Sequence, residues 1–257
     1  MVRAFSEQAL MTLARTLSGR LGEVSERAAL PGGASLRRFY RLRFQGGASA
    51  VAMYFPDAQT TGAARLRKEP SRWPFLELRD FFASVGLRVP DVLAEDVQSG
   101  WLLVEDFGDV TLADAIAQEP GRKTALYQAA VTQLAQLHAA RSQLPEWSCA
   151  LQRSLDAEFL YSELQHFYEY GLLARGLTPS NHNTERFNCL SQALCAEIAA
   201  SPYGLTHRDY QSRNLMVLSP APGAELAIID FQDATLGPRA YDLVALLRDS
   251  YQSFDEE

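Results

Sequence analysis

Lysine is nearly absent from this chain. Of 24 basic residues only Lys68 and Lys123 are lysines, so chemistry that depends on a lysine has two candidates. Positive charge is in deficit as a whole, with a formal net charge of −7, which argues against a partner held by its phosphate backbone, such as nucleic acid. Long apolar runs are missing too, and no stretch approaches the ~20 residues that cross a bilayer. Residues 1–19 read as an amphipathic helix with Phe5, Leu10, Leu13 and Leu17 on or near one stripe. Glu7 interrupts the segment, and it has neither a compact apolar centre nor a small-residue cleavage site, so it does not read as a signal peptide. Cysteine is scarce: Cys149, Cys189 and Cys195, an odd number without framework spacing, point to reduced thiols in a cytoplasmic protein. His182, Cys189 and Cys195 match no zinc-ligand spacing.

What is present is ordinary in bulk, with 47% hydrophobic and 21% charged residues, and 257 residues suffice for one large domain or two lobes. Strand character runs over residues 23–30, 37–44 and 48–55. The last two are joined by Gln45-Gly46-Gly47, which predicts an antiparallel hairpin. A helix over residues 74–85 turns Phe75, Leu78, Phe81 and Phe82 inward, and short strands follow at 92–96 and 101–105. Beyond Asp106-Phe107-Gly108 the pattern becomes helical, over residues 111–118, 124–140, 155–170 and 184–199. Short strands then return before a last helix over 240–250. The expected architecture is α+β and bilobal: a small antiparallel β-rich lobe over residues 1–105 and a mostly helical lobe over 106–257.

The densest chemistry lies in His207-Arg208-Asp209-Tyr210-Gln211-Ser212-Arg213-Asn214, followed by the strand-like Leu226-Ala227-Ile228-Ile229 and then Asp230. Phosphoryl transfer from a metal-bound nucleotide needs one carboxylate to orient a hydroxyl, and an amide with a second carboxylate to hold the metal. Asp209 is the candidate base, taking the proton of the acceptor hydroxyl as the phosphoryl group moves. Asn214 and Asp230 are candidate magnesium ligands, both offering the oxygen donors that a hard cation prefers. His207 reads as a structural ring under the loop. Arg208 pairs either with an acidic group of the substrate or with a neighbouring carboxylate. Asp233 either contacts the acceptor or caps a turn.

These motifs resemble the aminoglycoside-phosphotransferase-like branch of the protein-kinase-like superfamily. The resemblance rests on Pro31-Gly32-Gly33-Ala34-Ser35, Leu102 to Gly108, Leu134-Ala135-Gln136-Leu137-His138, the His207 to Asn214 loop, Ile229-Asp230-Phe231 and Gly237 to Leu243, in family order. The wording His-Arg-Asp-Tyr-x-Ser-Arg-Asn-Leu-Met and Asp-Phe-Gln-Asp-Ala is similar to the bacterial anomeric kinases of cell-wall recycling, which act on N-acetylmuramate and N-acetylglucosamine. The resemblance implies ATP and Mg2+ as cofactors and a small-molecule acceptor, most closely an amino sugar. It gives Gly32, Gly33 and Ser35 a place near the phosphates, makes Val104, Glu105 and Phe107 part of an adenine hinge, and makes Asp242 a brace for the catalytic loop. Other acceptors in the branch are aminoglycoside-, choline- or homoserine-like hydroxyls, and a non-catalytic nucleotide-binding module is the competing class.

Two departures qualify the resemblance. The phosphate-binding lysine of the third strand is missing, and Met53 or Tyr54 stands there; Arg37, Arg38 and Arg41 are the nearby cations, with Glu69 and Glu77 as helix carboxylates that such a cation could pair with. The second is the end of the chain: at Phe254 to Glu257 it stops where relatives continue, in mid-helix by its pattern, so either the chain is unusually short or the family's closing helices are truncated.

Overall fold

The computed structural model describes residues 5–31, 36–56, 72–219 and 225–254. Helix α1 (Glu7–Arg15) begins at Ser6, whose side chain accepts the Ala9 N–H, and a single turn, α2 (Ser18–Leu21), follows it. Strands β1 (Val24–Leu30), β2 (Arg38–Phe44) and β3 (Ser49–Tyr54) lead to helix α3 (Pro74–Ser84), and β4 (Val92–Asp96) and β5 (Trp101–Glu105) complete a five-stranded sheet. Its order is β1-β2-β3-β5-β4 and every pair is antiparallel. The Gly-Gly hairpin forms where the sequence places it. Gly47 takes a left-handed φ of +82°, and a Cβ on Gly46 would lie 2.8 Å from the Leu21 carbonyl oxygen, so the turn needs both glycines.

Because side chains alternate along a strand, the sheet has two apolar faces. Ala50, Ala52, Tyr54, Trp101 and Leu103 pack beneath α1 against Leu10, Leu13 and Leu17, and the Trp101 indole N–H donates to the Ser6 carbonyl at 3.0 Å. Met53, Leu102 and Val104 face the other way. They join Phe75, Leu78 and Phe82 of α3 in a core that continues to Tyr210, Leu215, Ile228 and Phe231. That continuous core fixes the sheet against the loops that carry the motif.

The rest is mostly helical: α4 (Leu112–Gln118), α5 (Lys123–Ala139), α6 (Ala157–His166), α7 (Asn181–Ala199) and α8 (Ala240–Leu247). Thr111 and Asp114 form a reciprocal capping box at the start of α4. Two short ribbons interrupt the helices: β6 (Tyr203–Thr206) pairs with β9 (Thr235–Pro238), and β7 (Leu215–Val217) pairs with β8 (Leu226–Ile228).

Three helices, α6, α7 and α8, depart from the limits expected from the sequence pattern. Helix α6 starts late because Asp156 caps it by accepting the Phe159 N–H, and after His166 the chain widens into a π-helical turn, Phe167–Leu172. Helix α7 starts earlier, at Asn181, because Ser180 caps it. Helix α8 ends at Leu247, and residues 248–254 form turns rather than the expected continuous helix. There the Asp249 carboxylate accepts the N–H groups of Tyr251 (3.0 Å) and Gln252 (2.9 Å), drawing the backbone out of helical geometry.

Candidate active site

Four motif residues sit at or within two residues of a ribbon-strand end, with Asp209 in the loop between β6 and β7. His207 follows β6, Asn214 precedes β7, Asp230 lies just beyond β8, and Asp233 precedes β9. The Ile229 N–H donates to the Asn214 carbonyl at 3.0 Å, carrying the β7–β8 pairing one step further and fixing Asp230 beside the His207 to Asn214 loop.

The loop is held from below. Asp242, fully buried in the first turn of α8, accepts the His207 N–H at 2.6 Å and the Arg208 N–H at 2.9 Å. Burial raises its pKa, opposed by the nearby His207 and by those two N–H bonds. The fully buried His207 ring accepts the Asp209 N–H at Nδ1 (3.3 Å), so Nε2 carries the proton and donates to the Ile229 carbonyl at 3.0 Å. Tyr210, also fully buried, has its one hydroxyl proton within reach of two acceptors, the Ala130 carbonyl at 2.9 Å and Gln133 Oε1 at 3.0 Å; burial pushes its hydroxyl pKa up. Ser212 N–H donates to Asp249 at 2.9 Å. Among the described residues, Arg208 (φ +80°) and Asp230 (φ +61°) are the non-glycine residues with left-handed backbone. Such conformations cost of order 1–3 kcal/mol each and persist where surrounding bonds enforce them.

With its main chain tied down, Asp209 leaves its carboxylate exposed. Asn214 donates its amide Nδ2 to the Asp209 carbonyl at 2.8 Å, which orients the amide and leaves Oδ1 on its other side. One oxygen of Asp230, Oδ1, takes Arg37 Nη1 at 2.8 Å and Gln232 Nε2 at 2.9 Å. The donor set of Asn214 and Asp230 is all oxygen and fits magnesium. Among the described residues no group of three or more His, Cys, Asp or Glu side chains could hold a metal by itself; magnesium, when bound, keeps waters and phosphates as further ligands.

Asp233 points inward, with Arg153 Nη1 3.5 Å and Arg208 Nη1 3.9 Å from its Oδ1. It is therefore placed between two guanidinium groups. Arg208 lies beside that carboxylate and stacks its guanidinium 5.0 Å from the Phe159 ring centre. Burial lowers the Arg153 pKa, with Asp233 opposing the shift.

In the hinge segment Val104 is buried in the core and Glu105 is committed. Its N–H donates to the Asp91 carbonyl at 2.8 Å, and its carboxylate takes Arg88 and the Asp91 N–H (3.2 Å). The Glu105 N–H is thus already paired. Phe107 lies under the Arg88 guanidinium at 4.7 Å. Arg41 pairs with Asp106 and Asp109, both at 2.7 Å. Burial would raise the Asp106 pKa, but bonds from Arg41, Ser49 and the Gly108 N–H outweigh it and hold the group below the usual carboxylate range. Gly32, Gly33 and Ser35, and also Lys68 and Glu69, lie outside the described residues. Sequence reading missed Arg153, Gln232 and the Asp249 brace. Arg153 is 80 positions from its partner, so no local spacing signals it.

A five-stranded antiparallel sheet joined through a shared core to a helical part, with an exposed loop aspartate braced from below, is the layout of the protein-kinase-like fold. The chain belongs to the phosphotransferase enzyme family, whose family model matches residues 26–257. Among curated proteins it is 32% identical over 231 residues to an N-acetylmuramate/N-acetylglucosamine kinase of Neisseria meningitidis serogroup B, covering 87% of this chain and 61% of that protein. A protein of the same name in Pseudomonas aeruginosa is 32% identical over 241 residues, covering 91% of this chain and 64% of its own length. This chain therefore spans less than two thirds of the length of those relatives. Among solved structures, the gentamicin-APH(2")-IIa complex superposes with a TM-score of 0.63 at 17% identity, covering 99% of this chain and 78% of that one. A choline kinase from Streptococcus pneumoniae gives 0.59 at 15%, covering 93% and 74%. At those identities the superpositions speak for the fold alone.

Proposed function

We propose that this chain binds ATP with magnesium between the sheet lobe, residues 1–105, and the helical lobe, residues 106–257, and transfers the γ-phosphoryl group to a small-molecule hydroxyl. The acceptor is the anomeric hydroxyl of a cell-wall amino sugar of the N-acetylmuramate/N-acetylglucosamine kind, in a cytoplasmic recycling role. The observation that carries the reading is the Asp209 carboxylate, exposed on a loop whose backbone is locked by Asp242, His207 and Asn214. Phosphoryl transfer asks little of a protein beyond positioning and charge, and this loop is built for position. Asp209 accepts the acceptor's hydroxyl proton. Asn214 and Asp230 would hold magnesium, which when bound offsets the charge of the phosphates. Val104, Glu105 and Phe107 would border the base, and Gly32, Gly33 and Ser35 the phosphates.

The 32% identity to kinases named for both sugars supports the choice of acceptor, and three free cysteines suit a reducing compartment. The test is an acceptor panel: ATP, magnesium and N-acetylmuramate, N-acetylglucosamine, choline, homoserine or an aminoglycoside, with ADP release as the readout. Release that depends on one of the two amino sugars is expected. Turnover confined to another acceptor would replace the sugar reading, and nucleotide binding without turnover on any acceptor would leave a binding module.

A further inference from the structure

A kinase-like site needs a fixed cation on the nucleotide phosphates, and the third strand here does not supply one. Met53 faces the shared core and is buried there, while Tyr54 is buried on the opposite face under α1. Of the two carboxylates that could partner such a cation, Glu69 lies outside the described residues and Glu77 is taken, accepting Ser148 Oγ and the Cys149 N–H, both at 2.8 Å.

Three arginines lie near the sheet's entry to the cleft, and two are committed elsewhere. Arg38 sits 4.8 Å over the Phe5 ring on the α1 side, and Arg41 is locked onto Asp106 and Asp109. Lys123 lies 4.0 Å over the Phe254 ring at the start of α5. Arg37 instead reaches from the start of β2 to the Asp230 carboxylate, 193 positions away, at 2.8 Å. Its partner is thus a candidate magnesium ligand, whereas Arg41 is held by Asp106 and Asp109.

We propose that Arg37 is the phosphate-binding cation of this chain, standing in for the missing strand lysine; this rests on the nucleotide reading above. In the free chain it rests on Asp230. When nucleotide arrives with a metal, the phosphates offer a denser negative charge, and Asp230 gives up the guanidinium as it turns to the metal. A guanidinium suits the exchange because it keeps its charge at any working pH and bonds two phosphate oxygens at once. The Asp230 side chain is 35% exposed and that of Arg37 17%, so the pair sits where a ligand can part it.

Calorimetric titration of the full chain with MgADP and, separately, with adenosine reads the phosphate contact without turnover. Arg37→Met should weaken MgADP by about tenfold or more, the scale of a lost charge-assisted bond, and leave adenosine within about twofold. Arg38→Met should change neither. The inference is overturned if Arg37→Met weakens MgADP no more than it weakens adenosine, or if Arg38→Met weakens MgADP equally. A wild-type chain that binds neither ligand would overturn the nucleotide reading itself, and this inference with it.

Discussion

The Asp242 carboxylate spans two consecutive main-chain N–H groups, accepting His207 at 2.6 Å and Arg208 at 2.9 Å from a fully buried position in α8. Arg208 has a left-handed backbone, φ +80°, so the brace holds a conformation that a non-glycine residue does not favour by itself. Asp242→Asn keeps one acceptor oxygen and turns an NH2 group toward the second N–H. The expected result is a kcat lower by about two orders of magnitude, the scale of a misplaced reacting group, with MgADP affinity close to wild type. Calorimetry beside steady-state ADP release separates the two effects.

The same logic applies where α3 meets the helical part. Glu77 is buried and its Oε1 accepts both Ser148 Oγ and the Cys149 N–H at 2.8 Å. Glu77→Gln retains a carbonyl oxygen and should cost about 1 kcal/mol. Glu77→Leu leaves two buried donors unmet and should cost about 2–4 kcal/mol. Urea unfolding, with unchanged slope in both variants, checks the pair of values.

Acid sensitivity should trace in part to His138 on α5. Burial, and secondarily the Arg239 charge, lower its pKa from the ordinary 6.5, and its buried Nε2 has no hydrogen-bond partner among the described residues. Below about pH 6.5 the unfolded chain binds a proton there that the folded chain refuses. Stability should therefore fall as pH drops from about 6.5 towards the lowered folded value. His138→Gln removes that contribution, so the loss of urea midpoint between about pH 7.5 and about pH 5.5 should be smaller in the variant than in the wild type.

Strand and helix positions were largely legible because their causes are local. The short strands read at 92–96 and 101–105 are β4 and β5 at their observed limits, and a Gly-Gly pair predicted the β2–β3 hairpin. The candidate residues His207, Asp209, Asn214 and Asp230 were legible for a similar reason: their spacing is short, and the ribbon strands between them are apolar. What was hidden depends on distant partners. Nothing near Arg153 announces Asp233, and the choice among Arg37, Arg38 and Arg41 turns on which way each side chain leaves the sheet. The end of α8 was misread because the apolar pattern continues past the point where Asp249 captures the following N–H groups.

The central claim is that the exposed Asp209 carboxylate accepts the proton of an amino-sugar hydroxyl during phosphoryl transfer, and substitution of that one group tests it most directly. ADP release with N-acetylmuramate should fall by at least about three orders of magnitude in Asp209→Asn, while MgADP binding by calorimetry stays within a few-fold of wild type. Near-normal, sugar-dependent release from Asp209→Asn would contradict the account.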